Sequence, residues 1–261
     1  FLAALAAEST GTFTNVVNKA NVSVVIAGAG DATVAVGGLV AVGESKMDGC
    51  KNYGNVTYTA GASYGALVGG LAGYNNGAMN KCENHGNVTM SVESLSAYGV
   101  VKSIDNLPIH IGGLAAQLGA NAPVTESVNR GTVDYDITKV ENLAVSCGTN
   151  RPRMGGIVGL TQSSITSSTN EGIVDVNVVT SDRSIFSGKN YPINVGGISG
   201  GSGSVTYCKN TGTIDGHLSI EDGNIGGIIG WLDKGHKFEY NESYCTLSNT
   251  RAPGTNGTSE V

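Results

Sequence analysis

The chain has 261 residues, of which 40 are glycine, 40% are apolar and 14% are charged, with a formal net charge of −6 at pH 7. The acidic balance excludes a nucleic-acid-binding surface, which needs a basic stripe, and the periodically placed apolar residues exclude a disordered chain. The glycines do not recur at every third residue, which excludes collagen, and no apolar stretch is long enough to span a bilayer.

The first elements are taken in chain order. Residues 1–11 form an N-terminal unit in which Phe1-Leu2-Ala3-Ala4-Leu5-Ala6-Ala7 has two readings. It is a short helix covering the open end of a repeat array, or the remnant of a signal h-region without its basic n-region. From Thr12 onward the chain repeats, and a fixed period means a solenoid or a propeller. Gly-Gly pairs stand at Gly37-Gly38, Gly69-Gly70, Gly112-Gly113, Gly155-Gly156, Gly196-Gly197 and Gly226-Gly227. After most pairs comes Asn, any residue, Gly, any residue and a β-branched residue. Copies are Asn52-Tyr53-Gly54-Asn55-Val56, Asn84-His85-Gly86-Asn87-Val88, Asn129-Arg130-Gly131-Thr132-Val133, Asn170-Glu171-Gly172-Ile173-Val174 and Asn210-Thr211-Gly212-Thr213-Ile214. Asn18-Lys19-Ala20-Asn21-Val22 is a first copy with Ala for Gly, and Asn241-Glu242-Ser243-Tyr244-Cys245 is a degenerate last copy.

These signals predict an all-β fold: a single right-handed parallel β-helix over 12–249, with about seven coils. Each coil reads as three short strands, one starting at the Gly-Gly pair, one before the Asn and one after the following Gly. Asn-Gly and Asp-Gly hairpin signals are too scarce for propeller blades. Stacking would align Asn18, Asn52, Asn84, Asn129, Asn170, Asn210 and Asn241 into an amide ladder, with Asn tolerating the left-handed backbone of a sharp corner and Gly aiding the turn. Cys50, Cys82 and Cys208 share one repeat position with Ser127 and Ser168, which reads as a small buried side chain. Cys50 and Cys82 fall on neighbouring coils, within reach of a bridge, while the odd cysteine count and missing CxxC spacing argue against zinc.

The strings Gly70-Leu71-Ala72-Gly73, Gly156-Ile157-Val158-Gly159, Gly197-Ile198-Ser199-Gly200 and Gly227-Ile228-Ile229-Gly230 resemble the GLUG-motif repeats of bacterial surface proteins. Gly38-Leu39-Val40-Ala41 and Gly113-Leu114-Ala115-Ala116 depart by Ala in the fourth place. The resemblance implies a secreted or surface-displayed bacterial protein of adhesin-like type, or a non-catalytic part of a larger surface protein. It carries no catalytic residue.

Extra residues enter some coils at one corner, after the third strand: 93–110, 138–154 and 179–194. Insertions gathered on one face of a repeat array often form its binding face. The competing reading is a structural flap. Near the end, Trp231, Phe238, Tyr240 and Tyr244 are expected to cover the last rung, with a carbohydrate-stacking platform as the alternative. Residues 250–261 read as a loose tail.

One polar constellation stands out. If Val133, Tyr135 and Ile137 face inward, Asp134 and Asp136 face outward by strand alternation. In the next coils Asp175 and Asn177, then Asp215 and His217, take those places. A column of Asp134, Asp175 and Asp215 has three chemical readings: a solvated acidic face, a calcium site of oxygen ligands, or paired carboxylates for glycoside chemistry. No other cofactor is implied. The preferred functional expectation is a non-catalytic binding or adhesion module, secreted or on the cell surface, recognising a glycan or a surface protein. The alternatives are a carbohydrate-active enzyme centred on the Asp column and a passive spacer of a larger protein.

Overall fold

The computed structural model describes residues 1–27, 33–61, 65–92, 95–96, 108–137, 140–141, 152–178, 193–201, 203–218 and 223–250. Among them every regular element is a strand, and every strand pairing between coils is parallel. Five sheets run the length of the molecule, four with seven strands and one with six. In the second coil the five strands are Val34–Gly37, Val40–Gly43, Lys46–Asp48, Lys51–Asn52 and Val56–Ala60, one from each of the first to fifth sheets. The protein is therefore a parallel β-solenoid, with five short strands per coil where the repeat had suggested three. The strand leading into the Gly-Gly pair, Val34–Gly37, is additional, and the single strand expected before the Asn is two, Lys46–Asp48 and Lys51–Asn52, each too short to show an alternation of period two.

The N-terminal residues are part of this stack. Leu2–Ala3 pairs with Val36-Gly37, and Ala6–Ser9 pairs with Val40 to Gly43. The cap helix expected over Phe1–Ala7 is thus replaced by strands, because the open edge of the second coil offers unpaired backbone groups to them. The first coil begins at Leu2 rather than Thr12.

The core lies between the sheets in two main layers. One collects Val56, Tyr58 and Val88 with Met90, Val133, Tyr135 and Ile137 from the fifth sheet, packed on Val36, Val68 and Ile111 of the first. The other collects Leu39, Leu71, Leu114, Ile157 and Ile198 with a column from the third sheet. That column runs Phe13, Met47, Met79, Val124, Ile165, Val205, Phe238, one residue per coil in register. At its C-terminal end Phe238 remains 45% exposed, and Trp231, Tyr240 and Tyr244 are 44%, 71% and 66% exposed. Phe238 is seated on the fully buried Val205 as the last member of the column, and all four aromatics stay partly exposed.

The asparagine ladder is present. Asn18 Nδ2 donates to Asn52 Oδ1 at 2.8 Å, and the same bond links Asn52 to Asn84, Asn84 to Asn129, Asn129 to Asn170 and Asn170 to Asn210, each at 2.9 Å. The second amide hydrogen of the five donors closes a local turn, as in Asn52 Nδ2 to Gly54 O at 2.7 Å and Asn129 Nδ2 to Gly131 O at 2.8 Å, whereas Asn210 Nδ2 donates to Gly227 O at 2.8 Å. All six side chains are buried, so these bonds are made away from water. The expected seventh member is displaced. Ser243, not Asn241, pairs with Asn210, and Leu247, not Cys245, takes the β-branched position opposite Ile214. Asn241 fills the Cys/Ser slot instead, accepting from Cys208 N at 2.9 Å.

The ladder residues are not the left-handed ones. Positive φ falls three residues earlier, at Asn15, Gly49, Lys81, Glu126, Ser167, Tyr207 and Tyr240, where the third sheet turns into the fourth. The glycine two after each ladder Asn is needed for close approach rather than for turning. A Cβ on Gly54, Gly86, Gly131, Gly172 or Gly212 would lie 1.9–2.0 Å from a carbonyl oxygen of the preceding coil. Ala20 holds this place in the first coil, where it is exposed. That accounts for the one copy with Ala.

The same reasoning explains the Gly-Gly-Leu string. A Cβ on the first glycine would meet the second-sheet carbonyl of its own coil, as for Gly69 with Ala72 O at 1.9 Å. On the second it would strike the next coil, as for Gly70 with Gly113 O at 2.1 Å, and also the ladder side chain of its own coil, Asn84 at 2.5 Å. The Leu or Ile is core. The fourth place presses the second sheet onto the backbone of the first: a Cβ on Gly200 would lie 2.5 Å from Met154 N, while two other coils hold the smallest side chain there, buried Ala41 and Ala116. Cys50, Cys82 and Cys208 are free and buried, and no bridge joins Cys50 to Cys82. Cys147, the 251–261 tail and most of 93–110, 138–154 and 179–194 lie outside the described residues.

Candidate functional site

The fifth sheet carries the acidic column. Val133–Ile137, Val174–Val178 and Ile214–Leu218 stack in register, with Asp134 opposite Asp175 and Asp175 opposite Asp215. Beside it run Asp136, Asn177 and His217, also in register. Alternation sets the orientation: Val133, Tyr135 and Ile137 are fully buried and the residues between them face outward. Below Asp134 the column continues as Thr89, Thr57 and Ser23, so the charge is confined to three consecutive coils.

Parallel strands hold equivalent residues about 4.8 Å apart, and like charges at that spacing oppose ionisation. Burial, together with Asp175 and Asp136, pushes the Asp134 carboxyl up to about 6. Burial and Asp215 raise Asp175, against a smaller opposing effect of His217. Hydrogen bonds reach two of the neighbouring carboxylates, Asp136 and Asp215. Asn177 Nδ2 donates to Asp136 Oδ1 at 3.1 Å, and Ser248 Oγ donates to Asp215 Oδ1. His217 Nε2 lies 3.7 Å from Asp215 Oδ1, an ion pair when the imidazole is protonated. The carboxylates are strung along the axis rather than converging. Among the described residues no group of three His, Cys, Asp or Glu side chains has the arrangement of a metal site, so geometry adds no support to the calcium reading.

The roots of the insertions adjoin this column. Val92, Ile137 and Val178 end the fifth-sheet strands of three consecutive coils, and Ile109, Arg153 and Ile193 begin the next first-sheet strands. Leu95–Ser96 and Val140–Glu141 pair in parallel, so the first two insertions leave the solenoid side by side.

Register also assembles groups that motif reading did not single out. Glu83 accepts from Lys51 Nζ and Arg130 Nη1, each at 2.7 Å, and His85 Nε2 lies 2.9 Å away. The hydrogen bond from Lys51 is the main reason its carboxyl is held down at about 2. Tyr53 stacks on His85 with centroids 4.4 Å apart. His110 is buried in the first sheet, opposite Leu67 and Arg153. Burial, then the Arg153 charge, lowers its pKa to about 3. The signal for each was available once copies were aligned coil on coil, since each pairs residues about one repeat apart.

Fold and surface together define a parallel β-solenoid with an acidic strip and one-sided insertions. The chain matches no known protein-family model, no curated protein and no solved structure.

Proposed function

We propose that the chain is a non-catalytic binding or adhesion module, secreted or displayed on a bacterial cell surface, that engages a glycan or a surface protein through 93–110, 138–154 and 179–194. One observation carries this reading: three consecutive coils open at the same edge, two of them the coils of Asp134 and Asp175, with Asp215 on the coil that follows. A rigid array that concentrates its variable segments on one face fits recognition better than catalysis. The GLUG-like strings support the surface setting by resemblance. The test is binding to a glycan array and to matrix proteins, with each insertion shortened in turn. Loss of binding in at least one variant is expected. Unchanged binding in all three refutes the reading.

The second reading, a carbohydrate-active enzyme, is favoured by one feature. Asp134 is held near neutral pKa beside Asp175, as a general acid beside a second carboxyl would be. Sugar release that persists in Asp175→Ala would remove the column from any such mechanism.

A further inference from the structure

We propose that the corner between the third and fourth sheets holds a sugar-binding notch at Ser167, in which a neutral hexopyranose stacks on Tyr207. It names a ligand class for the binding function proposed above and rests on that reading, but at a place apart from the insertions.

The left-handed corner is occupied coil by coil by Lys81, Glu126, Ser167, Tyr207 and Tyr240. Their alignment is fixed by backbone bonds: Glu126 N to Thr166 O, Ser167 N to Thr206 O and Tyr207 N to Glu239 O, at 3.2, 3.1 and 3.0 Å. Tyr207 and Tyr240 both have φ of 56°. The left-handed turn itself recurs at this corner in every described coil; what is particular to these two is that a bulky aromatic residue, an outlier in that region, occupies it. Burial does not compensate that placement, because the two side chains remain 59% and 71% exposed. Their rings stack with centroids 4.8 Å apart and planes 12° from parallel.

One face of Tyr207 is therefore taken by Tyr240. Two nearly parallel rings one coil apart put the ring normal close to the axis, so the opposite face of Tyr207 is turned to the level of the preceding coil, where the corner residue is the short Ser167. Beyond Ser167 stands Glu126, two strand spacings or about 10 Å from Tyr207. The level of Ser167 thus leaves room for one more ring. A pyranose there would present its axial C–H bonds to the aromatic face. Its hydroxyls would meet the Glu126 carboxylate and the paired Thr166 and Thr206 hydroxyls, which lie 3.2 Å from each other. The Glu126 carboxylate is exposed and only 3.9 Å from Lys81 Nζ, a loose pair that leaves acceptor capacity. Lys209, in the next strand, lies over the Tyr244 ring at 4.8 Å and extends the polar margin.

The test is saturation-transfer NMR and calorimetry on the full chain with gluco-, manno- and galacto-configured tetrasaccharides. Binding in roughly the millimolar range is expected for one stacked ring with few polar contacts. Tyr207→Gly removes the platform and the backbone strain together, so binding should weaken about tenfold or more while the melting temperature does not fall. Ser167→Tyr fills the notch with a ring in a backbone that already accepts tyrosine one coil away, and should block binding in a folded protein. Wild-type protein that binds none of the sugars overturns the proposal, as do both variants binding like wild type. Sugar binding lost only when an insertion is shortened overturns the notch and leaves the proposed function standing. Binding lost only in the notch variants supports the notch and moves the binding function away from the insertions.

Discussion

Asn129→Ala in the middle of the ladder should be among the most destabilising polar substitutions in this protein. Three bonds disappear: Asn129 Nδ2 to Gly131 O at 2.8 Å, Asn129 Nδ2 to Asn170 Oδ1 at 2.9 Å, and Asn84 Nδ2 to Asn129 Oδ1 at 2.9 Å. Each bond contributes about 1 kcal/mol net, and each buried partner left without one costs about 1–3 kcal/mol. Alanine cannot supply a substitute, and Asn129, Asn84 and Asn170 are all fully buried, so water does not reach the stranded groups. The two figures describe one loss and do not add; with the lower end taken for each of the three partners, since Asn84 Nδ2 keeps its bond to Gly86 O, the total is about 3–5 kcal/mol. Asn18→Ala is the internal control. It also loses bonds to Asn52 and Ala20, but it lies in the outermost coil, where Ala20 is exposed and water can replace part of the loss. About 1–2 kcal/mol is expected there. Urea unfolding followed by circular dichroism measures both. Equal losses at the two positions, or a loss under about 1 kcal/mol at Asn129, would refute the ladder as a source of stability.

Gly131→Ala should cost about 3 kcal/mol or more, since its Cβ would lie 1.9 Å from Gly86 O and backbone rather than a flexible side chain must yield; Ala20→Gly, by thermal melting, should change little. The buried His110 is lowered to about 3, so below its ordinary value near 6.5 the unfolded chain binds a proton that the folded chain refuses. Stability is fully present above that value and falls as pH drops toward 3. Between pH 6.5 and 4.5 the loss from this group is about 2–3 kcal/mol, and His110→Leu, which copies the neighbouring Leu67, should flatten the profile measured by denaturant melts at each pH. Asp134 acts in the opposite sense. Its pKa is raised to about 6, so its proton favours the fold below the ordinary carboxylate range and that contribution is lost as pH rises through 6. Asp134→Asn should therefore stabilise by about 1 kcal/mol at pH 7.5, after discounting for partial solvent exposure, and have no effect below about pH 4.

The architecture was legible because a solenoid turns sequence period into spatial neighbourhood. Asn52, Asn84, Asn129, Asn170 and Asn210 recur at one point of the repeat, and parallel in-register stacking is the arrangement that places such residues side by side. The acidic column followed from the same alignment plus strand alternation, and Asp134, Asp175 and Asp215 fall where that reasoning puts them. Register at the last coil was less legible. There the repeat decays, and Ser243 takes the ladder position in place of Asn241 because backbone pairing, not residue identity, sets the register.

Composition, period and alternation by themselves determined the all-β class, the stacking of coils and the side of each fifth-sheet strand that faces the core. They could do so because each depends only on residue spacing along one chain. Tertiary structure decided the five-sided course of each coil, the strands formed by residues 2–9, and the reason for each conserved-looking glycine within the repeat. Those depend on the distance between one coil's carbonyl and the next coil's Cα. It also decided where strain is held: Tyr207 and Tyr240 sit in a left-handed corner that other coils fill with Asn, Gly, Lys, Glu or Ser. A residue string records identity and order, whereas close approach between coils and backbone sign are properties of the packed stack.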